Sequence, residues 1–131
     1  MELDFADGTT WSFIWQTIRP WEGLLAFEGT LIGNEIVPDS ECKTWSIDHI
    51  PAWARLIGSA ITSVDSGWED YGEAQSPFAW AIHFEHSNQV VIALGDVDDH
   101  YGFTPSADNV AVFFSLDSAH RHGLEPTPPS T

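Results

Sequence analysis

The sequence predicts a mainly β fold with one short helix, an antiparallel β-sandwich or strongly curved sheet of seven or eight strands. Three observations predict it. Apolar residues recur at every second position in several short runs. Gly, Pro, Asp and Asn turn formers separate those runs. A single stretch, near Ile50 to Ile57, carries helical spacing instead.

The organising stretch is Phe78 to Gly95. Phe78, Trp80, Ile82 and Phe84 fall on one strand face, and Ala79, Ala81, His83 and Glu85 on the other. His86-Ser87-Asn88-Gln89 is a polar break, and Val90 to Leu94 is a second apolar run closed by Gly95. Together they predict a hairpin, which is marginal in water until other elements cover its aromatic face.

Before it, Met1 to Phe5 reads as a short strand and Asp7-Gly8 as a hairpin turn. Trp11, Phe13 and Trp15 share a face of the next strand, broken at Arg19-Pro20, which no central ladder accommodates. Core packing is expected for Trp11, Trp15 and Trp80. Gly23 to Ile32 is a third strand. Gly33-Asn34 ends it, Val37 to Ser40 reads as loop, and Thr44 to Ile47 as a short strand candidate.

Asp48 is the expected helix cap, with Pro51 in the first turn. Ile50, Trp53, Leu56 and Ile57 form the apolar stripe. Two readings of residues 53–64 compete: one long helix, or a helix stopped by Gly58 and then a strand. Ile61-Thr62-Ser63-Val64 is rich in β formers, which favours the stop. Residues 67–77 and 96–108 read as two long loops. Asn109 to Phe114 is the last strand, and Asp117 to His122 one helical turn. The domain is expected to span 1–122. Residues 123–131, with three prolines, are expected to be a disordered tail.

The chain has 131 residues, the length of one domain, and at 43% hydrophobic it can bury a core. It carries 20 Asp and Glu against 4 Lys and Arg, a formal charge of −16. That field repels nucleic acid and anionic membranes and favours a basic protein or a metal ion. The competing reading is a host whose whole proteome is acidic. One cysteine, Cys42, excludes an intrachain disulfide and fits a reducing compartment. Met-Glu-Leu-Asp at the start lacks the basic and apolar regions of a signal peptide, and no run reaches membrane-spanning length. A cytoplasmic protein is expected.

If strands 60–65, 78–85 and 90–95 form a meander, the two long loops fall at the same end of the sheet. The first supplies Trp68, Glu69, Asp70, Tyr71 and Glu73. The second supplies Asp96, Asp98, Asp99, His100, Tyr101 and Phe103. Aromatic anchors ringed by charge have the composition of a protein-binding hot spot. The expected partner-binding set is Trp68, Glu69, Asp70, Tyr71, Glu73, Asp96, Asp98, Asp99 and Tyr101. The bland reading of the same residues is two solvated loops.

Metal binding is weaker. Asp96-Val97-Asp98-Asp99-His100 lacks the ligand spacing of a calcium loop, and no pair of His has the His-x-x-x-His spacing of a helical zinc site. Nucleophile elbows, phosphate loops and dinucleotide fingerprints are absent from the sequence. His83 and Glu85, two positions apart on one strand face, form the best candidate acid–base pair, and polar decoration of a half-exposed sheet explains them more simply. His120-Arg121-His122 reads as solvated. No catalytic residue, metal or cofactor is assigned. Sugar stacking by exposed Trp is a further class, and homodimerisation through exposed aromatics another. The competing functional reading is a small enzyme or ligand binder using His83, His86 and the acids of 96–100.

Ala54 to Val64, Val90 to Asp96 and Ser106 to Phe114 look like stretches of small acidic bacterial immunity-type proteins, which neutralise secreted toxins in polymorphic toxin systems. The resemblance covers roughly the C-terminal half and consists of packing motifs, so no functional residue transfers through it. It implies a cytosolic, non-catalytic inhibitor that occludes the basic active site of a cognate toxin.

Overall fold

The computed structural model describes residues 1–18, 21–30, 45–71, 74–98 and 102–124, with backbone alone at 15–18, 21–23, 67–71, 74–78 and 105–108. The mainly β expectation holds. Two antiparallel sheets have the strand orders β1-β2-β3 and β4-β5-β6-β7. The strands are β1 (Glu2–Asp4), β2 (Thr10–Ile18), β3 (Trp21–Glu28), β4 (Ile61–Tyr71), β5 (Ala74–Phe84), β6 (Gln89–Val97) and β7 (Phe103–Phe113). Two short helices accompany them, α1 (Pro51–Ala54) and α2 (Leu116–Arg121), where the sequence predicts one helix and a turn.

The chain divides into two compact units. One is Met1–Ile14 with Leu25–Gly58, and the other is Trp15–Leu24 with Ser59–Thr131.

In the first unit, Asp7-Gly8 makes the expected turn, with Gly8 at φ 89°. Leu3 pairs with Trp11, so the short strand β1 fixes the register of β2. Trp11 is not a core residue: it is 40% exposed, while Ser12 and Phe13 beside it are buried. Ser12 is tolerated inside because its hydroxyl donates to the Gly29 carbonyl at 2.7 Å. The third strand ends earlier than predicted, at Glu28. Gly29 follows at φ 134°, and its amide donates to Thr10 O at 2.8 Å. Residues 31–44, which include the whole predicted loop, lie outside the described residues. Trp45, Ser46 and Ile47 form no strand.

The helix also starts later than expected. Asp48 accepts from the Ser46 hydroxyl at 2.7 Å instead of capping, and Ile50 occupies the cap position with Pro51 behind it. Proline suits that first position because the amide it lacks has no helical partner there. Gly58 at φ +83° stops the turn, and β4 begins at Ile61, so the helix-then-strand reading is correct. Of the apolar stripe, Leu56 alone is buried and Ile57 is 66% exposed.

The second unit holds the four-stranded sheet and its core. One sheet face presents Ala79 and Ala81 from β5, Val91 and Ala93 from β6, and Ala111 and Phe113 from β7. Small side chains let α2 approach closely, and Ala119 and Leu124 complete this cluster. The opposite face buries Ile82, Phe84, Val90, Ile92 and Leu94. On it Trp80 is half-buried, and its indole N–H donates to the Leu24 carbonyl of β3 at 2.9 Å. The expected half-buried hairpin is therefore covered on both faces at its centre. The Ala-bearing face is packed too, and its alanines mark close approach.

Both predicted long loops are corrected. Residues 67–71 and 74–77 are strand, paired from Trp68↔Pro77 to Tyr71↔Ala74. Gly67 marks a register shift within β4 rather than its end. Likewise β6 runs to Val97 and β7 starts at Phe103, where a loop of 96–108 is predicted. The register jumps from Leu94↔Val110 to Gly95↔Pro105, which places 106–109 between consecutive pairs. Gly95 is required at that jump: a Cβ on it would lie 2.5 Å from the Phe103 ring and from the Thr104 carbonyl.

The predicted tail starts too early, because Leu124 is 2% exposed and belongs to the core. His122 is also not solvated. It is half-buried, its ring sits 5.3 Å from that of Phe113, and its Nδ1 lies 2.7 Å from Ser118 O.

Candidate functional site

The four-stranded sheet is a meander, so its β4–β5 and β6–β7 connections come at one end and its β5–β6 connection at the other. At the two-connection end the sheet divides. The β5–β6 ladder runs from His83↔Gln89 only as far as Ala79↔Ala93. Beyond it β5 continues with β4, and β6 continues with β7, as two separate hairpin arms. A register shift sits at the base of each arm, at Gly67/Trp68 and at Leu94/Gly95. Bulges bend and re-aim a strand, which accounts for the parting of the arms at that level.

Trp68, Glu69, Asp70 and Tyr71 lie on the first arm, as strand residues rather than loop residues; only their backbone is described. Glu73, Asp99, His100 and Tyr101 lie outside the described residues. Asp96 and Asp98 lie on the second arm and are exposed. Each is held by its own hairpin. Asn109 Nδ2 donates to Asp96, and the Gly102 amide donates to Asp98 Oδ1 at 2.9 Å. The Asp98 amide returns a bond to the Gly102 carbonyl at 3.1 Å, which closes the turn. Phe103 is not an exposed anchor: it packs on the core, edge-on to Phe113 at 6.1 Å. Between Arg55 and Arg121 the chain has ten Asp and Glu and no Lys or Arg. Neither arm therefore contains a Lys or Arg.

His83 and His86 belong to the other end. Glu85–Ser87 form a single 3-10 turn joining β5 to β6, with His86 and Ser87 both at φ 61°. His83 Nε2 lies 3.0 Å from Asp65 Oδ2 on the neighbouring strand. Glu85 is not its partner, because that carboxylate accepts from the Ala60 amide at 3.2 Å. The predicted His83–Glu85 pair therefore does not form. From Gln89, opposite His83, to Asp96 is a run of strand about 20 Å long. His83 and His86 consequently do not share a site with the acids of 96–98.

One feature of the region is absent from the sequence reading. Among the described residues β4 stands at one end of the strand order of its sheet, and from Ser63 to Gly67 it pairs with β5 in unbroken register. Ser63, Val64 and Asp65 are exposed in succession, which leaves both faces of the strand open there. The alternation of Ile61, Ser63 and Asp65 with Thr62, Val64 and Ser66 hints at a weakly covered strand, but its place in the strand order follows from long-range pairing alone.

Comparison with protein-family models, with curated proteins and with solved structures finds no match to this chain. No helix among the described residues is long and apolar enough to cross a membrane.

Proposed function

We propose that this chain is a non-catalytic acidic binding protein, an immunity-type inhibitor that lays the divided end of its sheet over the basic active site of a cognate toxin. The observation that carries the reading is the charge on the two arms: Glu69 and Asp70 on one, Asp96 and Asp98 on the other, with no Lys or Arg between residues 55 and 121. A surface of one sign accelerates capture of an opposite surface and rejects anionic competitors. Inhibition is by occlusion: carboxylates occupy the cations that otherwise hold an anionic substrate. Trp68 and Tyr71 supply the desolvated contact area such an interface needs. The bacterial cytoplasm is the compartment this role requires. The competing enzyme or ligand-site reading loses ground because His83 and the acids of 96–98 lie at different ends of the sheet.

The test starts from a tagged copy recovered from its native cells, with the basic partner identified and its activity assayed with and without the protein. Association rates are then measured across salt for the native chain, Trp68→Ala, Asp70→Lys and, as a remote control, Asp117→Lys. Inhibition at one-to-one stoichiometry is expected, with association slowing about tenfold or more between low and high salt. Trp68→Ala and Asp70→Lys weaken binding while the control and the circular dichroism stay unchanged. A complex indifferent to salt and to both arm substitutions overturns the assignment.

A further inference from the structure

We infer that Phe103 is the positioning residue of the second arm: its ring, seated in the space left by Gly95 and braced on Phe113, holds Asp96 and Asp98 in one fixed aim before a partner arrives. This rests on the acidic-binding reading above and adds to it how the site is kept ready.

The two arms are not built alike. At the base of the first, Gly67↔Ala79 gives way to Trp68↔Pro77, so Phe78 alone falls between consecutive pairs. At the base of the second, Leu94↔Val110 gives way to Gly95↔Pro105, and residues 106–109 all fall between them. Beyond that break the second arm has three pairs, Gly95↔Pro105, Asp96↔Thr104 and Val97↔Phe103. One of them contains a proline, which has no amide to give to a ladder. A hairpin that short is marginal in water without apolar cover. The arm therefore needs an anchor outside its own ladder.

Phe103 supplies it. The residue lies on the strand returning from the tip, packs against the buried core cluster and meets Phe113 edge-on, with ring centroids 6.1 Å apart. Such a contact fixes an angle as well as a distance. Gly95, itself buried, makes the seat: a Cβ there would stand 2.5 Å from the Phe103 Cζ and 2.5 Å from the Thr104 carbonyl oxygen. A side chain at 95 pushes both away, and with them the strand that carries the ring. The remaining ties lie along the arm. Asn109 donates to Asp96 and so fastens the excursion to the strand, and at the tip the Asp98 carboxylate receives the Gly102 amide at 2.9 Å. A surface held in this way loses less freedom on association than one that must first be ordered. Charge governs how fast a partner arrives, and fit governs how slowly it leaves.

The variants are Gly95→Ala, which fills the seat, and Phe103→Leu, which removes the ring and stays apolar. Amide hydrogen exchange over residues 96–98 and 102–104 of the full chain reads the arm, and exchange over 79–82 and 90–93 reads the paired centre of the sheet. Binding is read with oligolysine, which senses charge alone, and with the basic protein recovered on the tagged chain. In both variants exchange in the arm is expected to quicken about tenfold, with the centre of the sheet unchanged. Oligolysine binds native and variant chains alike. Association of the basic protein stays within about twofold, while its dissociation quickens about tenfold. That split separates aim from simple loss of folded protein, which lowers the bound fraction and leaves the dissociation rate alone. Unchanged arm exchange in both variants overturns the proposal, as does a loosened arm with native dissociation, and in either case acidic binding stands. If neither probe binds in a salt-dependent way, the underlying reading falls with it. Where Gly95→Ala disturbs the sheet as a whole, Phe103→Leu decides on the same readouts.

Discussion

Asp7 organises the first turn through its own carboxylate. Oδ1 accepts from the Thr9 hydroxyl at 2.6 Å and from the Thr9 amide at 2.9 Å, while the Gly8 amide bonds to Phe5 O at 3.0 Å. The Thr9 hydroxyl is the main cause, and the Thr9 amide the next, that holds this carboxyl below its ordinary value of 3.8. A carboxyl lowered on folding contributes stability that is present above the unfolded value and lost as pH falls through the folded one. Thr9→Val removes the hydroxyl bond and keeps the amide bond. The Asp7 carboxyl should then titrate closer to 3.8 in an NMR titration, with a shallower stability loss in that acid range. An unchanged Asp7 titration would mean the amide alone sets its value. The half-buried ammonium of Met1 is lowered as well, but for a different reason. Burial, opposed by the nearby Glu2 charge, pushes it below 8.0, and it donates to Phe13 O at 2.9 Å.

At the scale of the element, α2 shows how much a helix of this length depends on its two ends. Ser115 caps it, accepting from the Ser118 amide at 3.0 Å, and Gln89 of β6 accepts from the Leu116 amide at 3.2 Å. At the other end Gly123, at φ +83°, donates to His120 O at 2.9 Å, and Leu124 donates to Ala119 O at 3.0 Å. This is a Schellman motif, and its customary apolar contact is Leu124 against Ala119 in the core. Leu124→Ala should therefore cost about 2–4 kcal/mol in urea unfolding, whereas Ile57→Ala, at an exposed site, should stay within about 0.5 kcal/mol. Comparable losses at the two positions would remove Leu124 from the core. The motif was written in the sequence as a glycine followed by an apolar residue, and the nearby prolines concealed it. The same bias toward reading glycine and proline as punctuation turned Gly67, Pro77 and Pro105 into loop markers, although they lie within strands. Local signals read true where the geometry is local: Asp7-Gly8, the stop at Gly58, the alternation of Phe78 to Phe84. The acids of the candidate arms are plain in the sequence, but their place on paired strands instead of loops is not. The place of β4 in the strand order is likewise hidden, because strand order is a property of distant pairings.

For the whole molecule the question is whether a formal −16 belongs to a site or to the entire surface. Folding brings like charges closer than they are in the unfolded chain, so the native state bears the greater repulsion and gains more from screening. The charge is also uneven, with ten acids and no Lys or Arg between Arg55 and Arg121. If the acidity serves a local docking end, ordinary screening suffices to relieve it, since the Debye length is already about 8 Å near 0.15 M salt. Thermal unfolding should then shift upward from ~10 mM to ~200 mM potassium chloride and change little beyond that, and sodium chloride should act the same way. A protein built for a salt-rich interior behaves differently: its midpoint keeps climbing into the molar range, long after pairwise repulsion between distant carboxylates has been screened. A continued climb of that kind would spread the acidity over the whole surface and deprive the two hairpin arms of their distinction, because every exposed carboxylate would then be there for the solvent rather than for a partner.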